Sequence, residues 1–482
     1  MAGPEARFAG DLPQRSAAEA AAAIPLDATV AVSGFGGVGY PKAVPLALAE
    51  SEREPSLTVV SGGGVGGEID EALVAADAVE RRYPFQAKPA IREAINDRSV
   101  AFHDRHISRL GDEVELDQLV SVDVAVIEAV AVGPDWLIPS TSIGLTPSYV
   151  AAADELIVEV NHAQPLDLWR MHDVYHRPPP PDRGPLTLSG PGDRAATERL
   201  GFDPGALVAV VESDRPDDPY EFRDPTAAGE AVGSHLAAFL TDEVATNPAL
   251  CERVCVQFGV GSLGNAVVGA LRDVAFGDRE VCYFGEVIQD GTLDLLDDGL
   301  LDVASATSLA LSTDGQARLF DGIEGYAERT VLRPATISNN AELVRRFGVV
   351  AINSAVDVDI YGHVNSTHIG GTHVVNGIGG SNDFARNALL SIVALPATAK
   401  DGAISRILPF VRHVDHTEHE TDVFVTEHGV ADLRGLAPVE RAAATIESCA
   451  DPRFRDDLRA YLDRATEADG HLPHDFDTVL DL

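Results

Sequence analysis

The sequence predicts an α/β protein with mainly parallel sheets covered by helices, and three observations carry that reading. Short runs rich in valine, isoleucine and leucine recur between helical stretches. These runs are almost wholly apolar, without the alternation of a strand that has one wet face, so both faces of each sheet are expected to be buried. Two of them lead through glycine turns into helical segments, the strand–turn–helix order that parallel sheets require.

In chain order, the first strand is Thr29–Ser33, followed by Gly34-Phe35-Gly36-Gly37-Val38-Gly39 and the apolar helical stretch 43–48. The glycine string satisfies G-x-G-x-x-G, the fingerprint of a dinucleotide-binding turn. The next strand, Leu57–Ser61, ends in Gly62-Gly63-Gly64 where the fingerprint wants an acid for the ribose, and prolines 41 and 45 crowd the helix start. A tight turn allowing close backbone approach accounts for the glycines better. A nicotinamide-dependent oxidoreductase using Gly34, Gly36 and Gly39 is the remote alternative. Strands at Val122–Val132, Leu156–Val160 and Leu207–Val211 complete the first half, with the proline run Pro178–Pro181 as a stiff surface excursion. The acidic, proline-bearing segment Asp214–Pro219, continuing to Asp224-Pro225, reads as a linker. It divides the chain into an N-terminal domain, 1–225, and a C-terminal domain, 226–482.

The second series has strands near Val254–Gln257, Glu280–Phe284, Val349–Ile352, Ser391–Leu395 and Val423–Val425. Phe258-Gly259-Val260-Gly261 leading to residues 266–271 repeats the strand, glycine turn and helix of the first half, consistent with a duplicated α/β unit. Glu286 follows Val281-Cys282-Tyr283-Phe284 and opens Gly285-Glu286-Val287-Ile288-Gln289-Asp290-Gly291. A carboxylate at a strand end is a candidate nucleophile, because loops there hold reactive groups on a rigid sheet. An ordinary surface-turn glutamate fits the same pattern.

Gly377-Ile378-Gly379-Gly380 exposes several N–H groups that can converge on an anion or developing oxyanion, and a plain loop fits equally well. His413, His416 and His419 stand beside Asp415, Glu418 and Glu420. In an extended segment a spacing of three sends successive side chains to opposite faces, so a hydrogen-bonded wall is expected there and no metal. Glu427 follows the strand ending at Val425, as a site acid or as the cap of a following helix.

Charge is the unusual bulk property. The formal net charge is −40, with 76 acids against 36 bases, and the only lysines are Lys42, Lys88 and Lys400. Such a surface repels nucleic acid and anionic membranes, so neither is an expected partner. It suits a halophilic protein, because a Debye length of about 3 Å at 1 M salt removes long-range repulsion. Cys251, Cys255, Cys282 and Cys449 lack the spacing of a zinc or redox motif and are expected to be buried free thiols. Neither a secretory signal pattern nor a stretch of about 18 apolar residues is present, so the expected location is the cytoplasm.

The ordered series of motifs resembles the acetyl-CoA hydrolase/transferase family, within it the succinyl-CoA:acetate CoA-transferase branch of the class I CoA-transferases. It begins with Ser33-Gly34-Phe35, Gly39 to Pro45, Arg82 to Ala87 and Ile127 to Ala131. It continues through Gly259-Val260-Gly261, Glu286 to Gly291, Arg333-Pro334 with Ile337-Ser338-Asn339, and Asp359 to Gly362. It closes with residues 377–387, Thr398-Ala399-Lys400, His413 to His419 and Thr426-Glu427.

The resemblance implies two class I CoA-transferase-type α/β domains and an enzyme that moves CoA between a short-chain acyl-CoA (acetyl, succinyl or propionyl) and a small carboxylate such as acetate. Acetyl-CoA hydrolysis at the same glutamate, and a non-catalytic CoA-binding protein, are the alternatives. It implies Glu286 as the nucleophile carrying a glutamyl-CoA thioester, Gly380 as an oxyanion and CoA contact, Asn339 as the orienter of the small carboxylate, and Glu427 as a supporting acid. Coenzyme A contacts would come from Val256, Gln257, Phe258, Gly259, Val260, Asn376, Gly380 and Lys400, without a metal, in a homodimer. The chain departs from the family pattern at Gly36-Gly37-Val38, at Gly285 in place of Ser or Thr, and at Ser262-Leu263-Gly264-Asn265 after Gly261. These departures bear on acyl or acceptor choice. If the acidic surface is a halophilic adaptation, activity and solubility rise between dilute buffer and molar potassium chloride. Equal values at both ends, measured by initial rate and light scattering, refute it.

Overall fold

The computed structural model describes residues 3–217, 226–259 and 262–476. The chain forms two compact units, Met1–Glu221 with Tyr283–Leu343, and Phe222–Cys282 with Val344–Leu482. The stretch Tyr283–Leu343, which a single cut at 225/226 assigns to the second half, belongs to the first unit.

In the first unit the leading sheet contains β1 (Thr29–Val32), β2 (Leu57–Ser61), β3 (Val79–Tyr83), β4 (Ala101–Phe102), β5 (Val124–Val132), β6 (Trp136–Pro139), β7 (Glu155–Asn161), β8 (Leu200–Gly201) and β9 (Leu207–Ser213). β4-β3-β2-β1-β5-β7-β9 run parallel, and β6 and β8 join antiparallel through the C-terminal half of β5. All nine residues of β5 are buried, as the uninterrupted apolar run predicts. One core packs Val30, Leu57, Val59 and Val126 of the sheet against Val44, Leu48 and Ile69 of the covering helices.

Two acids break the apolar runs, and both are fully buried: Glu128 in β5 and Glu159 in β7. The Glu159 carboxylate accepts the N–H groups of Lys42 and Ala43 at 2.9 Å and of Val44 at 3.1 Å. These are the amides at the start of the helix Ala43–Ala49, and the next residue, Pro45, has none. A dinucleotide pyrophosphate needs that helix terminus, so Glu159 occupies the place the oxidoreductase reading requires. The glycines instead serve a tight turn. Gly34, Gly36, Gly37 and Gly39 all have φ between +68° and +114°, and a Cβ on Gly39 would lie 2.6 Å from the Ser142 backbone nitrogen.

Lys42 is buried among carboxylates. Its Nζ donates to Tyr40 O at 2.9 Å and pairs with Glu128 at 2.5 Å and Asp217 at 2.9 Å. Ser140 Oγ and Asn161 Nδ2 also donate to Glu128, at 2.5 and 2.9 Å. Gly39 N, Thr141 Oγ1 and Gln164 Nε2 donate to Asp217, at 3.0, 2.6 and 3.0 Å. Burial pushes Glu128 above the usual carboxylate range against the pull of Lys42, and Asp217 adds to the rise. Asp217 therefore corrects the reading of Asp214–Pro219 as a plain linker, since one of its aspartates is a core ligand. Residues 218–225 lie outside the described residues.

In the second unit, strands Arg253–Phe258, Val349–Asn353, Leu390–Ala394 and Val423–Thr426 run parallel in that order, and Gly429–Asp432 closes the sheet antiparallel. Asp359 Oδ1 accepts the N–H groups of Tyr361, Gly362 and His363 at 3.0, 3.1 and 3.0 Å, and Gly362 has φ +115°. The Asp359-Ile360-Tyr361-Gly362 motif is thus a carboxylate-capped turn. Cys255, Cys282 and Cys449 are buried, but Cys251, just after the short helical turn Pro248–Leu250, is exposed, contrary to expectation.

Two expectations follow. Lys42→Met leaves Glu128 and Asp217 buried without their cation and lowers unfolding free energy by about 3–5 kcal/mol in urea titration. His363 Nδ1 lies 3.0 Å from Asp359 and Nε2 lies 2.8 Å from Glu418. Burial lowers its pKa, but the two carboxylates outweigh it and the net shift is upward. Its contribution is complete below an unfolded pKa of about 6.5 and disappears as pH rises through the higher folded value. The stability gap between wild type and His363→Gln should therefore shrink from pH 6 to pH 9.

Candidate active site

Glu286 sits in a bend between strands Glu280–Phe284 and Val287–Ile288. Four contacts fix its backbone. Gly285 N donates to Ser305 O at 3.0 Å, and Thr307 N and Ser308 N donate to Glu286 O at 2.9 and 3.2 Å. The Tyr283 hydroxyl reaches across the bend to Val287 O at 2.8 Å. Burial pushes the phenol of Tyr283 well above its ordinary range, with the nearby Glu286 charge adding to the rise. This clasp explains the glycine before the acid, because a Cβ at 285 would stand 2.4 Å from the Tyr283 hydroxyl oxygen.

The Glu286 side chain is half-buried and accepts a hydrogen bond from Asn339 Nδ2 at 2.8 Å. Asn339 is fully buried at the end of the short helix Ala335–Ser338. Ser338 Oγ donates to Asn339 Oδ1 at 2.8 Å, which sets the amide so that its NH₂ faces the carboxylate. Arg333, also buried, steadies this segment. It donates to Ser305 Oγ at 2.8 Å and to Pro191 O at 2.7 Å, and pairs with Asp173. Burial lowers its pKa to about 10 against the pull of Asp173.

Residues 141–144 tie these pieces together. Ile143 N donates to Thr307 O at 2.9 Å, Leu309 N to Thr141 O at 3.0 Å and Ala335 N to Gly144 O at 2.7 Å. The glycine turn lies against the same segment. A Cβ on Gly36 would be 3.1 Å from Val287 and 3.3 Å from Ser308 Oγ, whereas one on Gly37 would meet nothing within 4 Å.

In the second unit the other expected residues lie on the first strand of the parallel sheet and on the loops between its elements. Val256 and Phe258 are buried within strand Arg253–Phe258, and Gln257 exchanges two 3.2 Å hydrogen bonds with Asn353. Gly259 follows, half-buried, and Val260 lies outside the described residues. Asn376 is exposed, with its N–H on Thr367 O at 3.2 Å. Gly380 is buried and precedes the helix Ser381–Asn387, which leads into strand Leu390–Ala394. Among the described residues the N–H groups of Gly379 and Gly380 meet no acceptor. Lys400 is exposed at a hairpin tip with φ +50° and has no ion pair among the described residues. Glu427 occupies the two-residue turn of the hairpin Val423–Asp432 and accepts Ala397 N–H at 2.7 Å. A strand follows it, so the helix-cap reading is corrected.

The histidine segment forms no metal cluster among the described residues. His413 stacks on His368 at 4.0 Å between ring centroids, His419 is exposed, and His416 is buried between Asp415 and Ser381. Ser381 and Tyr283 were not singled out from the sequence, and neither sits in a residue pattern that distinguishes it from an ordinary serine or core tyrosine.

A model of the acetyl-CoA hydrolase/transferase N-terminal domain matches residues 13–179, and one of the acetyl-CoA hydrolase/transferase C-terminal domain matches residues 315–462. The succinyl-CoA:acetate CoA-transferase of Clostridium kluyveri is 42% identical, covering 94% of this chain and 85% of that protein. The propanoyl-CoA:succinate CoA transferase of Escherichia coli is 39% identical, covering 97% and 96%. The acetyl-CoA hydrolase of Schizosaccharomyces pombe is 37% identical, covering 92% and 88%. Among solved structures, 4-hydroxybutyrate CoA-transferase from Porphyromonas gingivalis superposes with TM-score 0.64 at 20% identity, covering 95% of this chain and 97% of that one, a likeness of fold. Identity at this level along nearly the whole length exceeds what a shared fold alone produces, and the chain belongs to the acetyl-CoA hydrolase/transferase family of class I CoA-transferases, enzymes of CoA transfer or hydrolysis between acyl-CoA and carboxylate substrates.

Proposed function

We propose that this enzyme transfers CoA from a short-chain acyl-CoA to a small carboxylate, with acetate as the simplest acceptor, through a glutamyl-CoA thioester on Glu286. The observation that carries the reading is the 2.8 Å hydrogen bond from Asn339 to a half-buried carboxylate on a pinned strand-end turn. A glutamate carboxylate, with a reference pKa of about 4.3, is ordinarily ionised at neutral pH and attacks a thioester without a general base.

Glu286 oxygen attacks the acyl carbonyl, the C–S bond breaks, and CoA leaves as thiolate, giving a mixed anhydride. The thiolate then attacks the glutamyl carbonyl and expels the first carboxylate, leaving glutamyl-CoA. The acceptor carboxylate attacks that thioester, and the two steps run in reverse to give the new acyl-CoA and free Glu286. Each addition creates an oxyanion. The N–H of Gly380, which meets no acceptor among the described residues, suits that charge, and losing one such donor typically costs about 3 kcal/mol.

Asn339 orients the small carboxylate and Glu427 acts as a supporting acid. Residues 256–260, Asn376, Gly380 and Lys400 contact coenzyme A. Lys400 supplies a compact cation for phosphate on an acidic chain. Exclusion of water from the anhydride favours transfer over hydrolysis. The likeness to the fungal acetyl-CoA hydrolase supports a second reading, in which water is the terminal acceptor at the same glutamate. A homodimer is the proposed assembly.

Incubation with acetyl-CoA alone should add CoA to the peptide holding Glu286, seen by mass spectrometry. Glu286→Gln should abolish the adduct and lower kcat by at least about a thousandfold. Turnover at the wild-type rate in that variant would refute the scheme. Competition among acetate, succinate, propionate and water then assigns the acceptor.

A further inference from the structure

Beside the Gly377–Gly380 turn stands a side-chain relay that the scheme above does not use. Ser381 Oγ lies 3.2 Å from His416 Nε2, and His416 Nδ1 lies 2.7 Å from Asp415 Oδ1. The other Asp415 oxygen accepts Ser366 N–H at 2.8 Å and Thr367 O–H at 2.7 Å. Burial pushes the Asp415 carboxyl up, but His416, Thr367 and Ser366 outweigh it and hold it below its usual range. An ionised Asp415 keeps the proton on Nδ1 and turns Nε2 toward Ser381. The ring is 4% exposed, and its backbone is tied to Val364 by hydrogen bonds of 2.9 and 3.2 Å.

A Ser–His–Asp order suits either an activated nucleophile or a brace. The distances favour the brace. Ser381 Oγ is nearer to Ile378 O, at 2.8 Å, than to His416 Nε2, at 3.2 Å, so its one hydroxyl proton closes the turn across Gly379 and Gly380 and reaches the ring as the weaker arm of a shared hydrogen bond. Gly379 has φ +55°, and neither glycine N–H is held by a protein acceptor among the described residues. Without a clamp such a turn has little to fix the direction of its donors.

We propose that His416, oriented by Asp415, is a positioning residue that acts through Ser381 to hold the Gly379-Gly380 turn in the geometry that receives the oxyanion. This rests on the reading of Gly380 as an oxyanion donor in CoA transfer.

The test uses the full-length enzyme with acetyl-CoA and a carboxylate acceptor, and four variants compared for kcat, KM and the Glu286 adduct. Ser381→Ala and His416→Asn, which keeps the Asp415 contact but not the Ser381 contact, should each lower kcat about tenfold, with KM for acyl-CoA within about twofold. His416→Gln, whose amide reaches the Nε2 position, should stay within about threefold of wild type. The Ser381→Ala/His416→Asn double variant should fall no further than either single one. Unchanged kcat in both single variants, a double variant that falls about a hundredfold, or His416→Gln as slow as His416→Asn overturns the proposal. So does covalent labelling of Ser381 by a fluorophosphonate, which would make it a nucleophile. Should His416→Asn fail to fold, Ser381→Ala decides alone by its kcat. Glu286→Gln, run beside them, separates the two levels: wild-type turnover there removes the transfer scheme and the inference together, whereas an inactive Glu286→Gln with fully active His416 variants removes the inference alone.

Discussion

The first unit depends on one ammonium held between two carboxylates. Lys42, Glu128 and Asp217 are fully or almost fully buried, and desolvating such ions costs several kcal/mol each. What the cluster provides is register. It fixes three segments remote in sequence, the end of the glycine turn, the middle of β5 and the chain after β9, by contacts that tolerate little sliding. From Asp217 the links run through the Thr141 hydroxyl and then the Thr141 carbonyl to Leu309, and from Ile143 to Thr307, whose N–H holds the Glu286 carbonyl. The attack proposed for Glu286 requires a carboxylate placed to within a fraction of an ångström, and apolar packing alone specifies position less sharply.

The departures from the family pattern acquire physical meaning in the same place. Gly285 is the residue that the Tyr283 clasp permits, since any side chain there would collide with the hydroxyl that ties Val287. Tyrosine and glycine therefore act as a pair, and a serine or threonine at 285 implies a different residue or rotamer at 283. Gly36 and Gly37 differ from each other. At Gly36 the would-be Cβ meets Val287 and Ser308, which lie beside the Glu286 turn, whereas at Gly37 it meets nothing within 4 Å. Both have positive φ, so backbone conformation and space act together at Gly36, and conformation alone accounts for Gly37.

The sheets were legible where sequence pattern and burial coincide. All ten strands read from apolar runs are present, from Thr29 to Thr426, with ends shifted by a residue or two. Val79–Tyr83 escaped because its interior is Glu80-Arg81-Arg82, yet Arg82 is buried on Asp70 at 2.9 Å. Charge concealed a core strand. The same blindness applied to Asp217, an aspartate in a linker-like segment that becomes a core ligand. Glu286 was visible because a strand end followed by glycines is a local signal. Its hydrogen bond to Asn339, 53 residues on, has no local signal, and the family resemblance implied Asn339 only as the orienter of the small carboxylate. Histidines spaced by three suggested a wall, and that holds for His416, but which of them faces Ser381 is decided by tertiary pairing with Val364.

The distribution of lysines bears on how so acidic a chain handles a polyanionic substrate. Arginine predominates among the bases, and the three lysines occupy distinct settings: Lys42 in the core, Lys88 partly buried before a helix, and Lys400 exposed on a left-handed hairpin tip. A non-glycine residue at φ +50° is unusual and costs conformational energy. The tip runs Lys400-Asp401-Gly402, all three with positive φ. Solvation alone would not select a strained position for a cation, and arginine elsewhere serves the carboxylate pairs with its planar fork. The coenzyme A contact proposed for Lys400 would pair a compact ammonium with a phosphate. At high ionic strength the attraction of an exposed cation acts only at close range, so the contact proposed at Lys400 would hold a phosphate once docked and add little long-range steering.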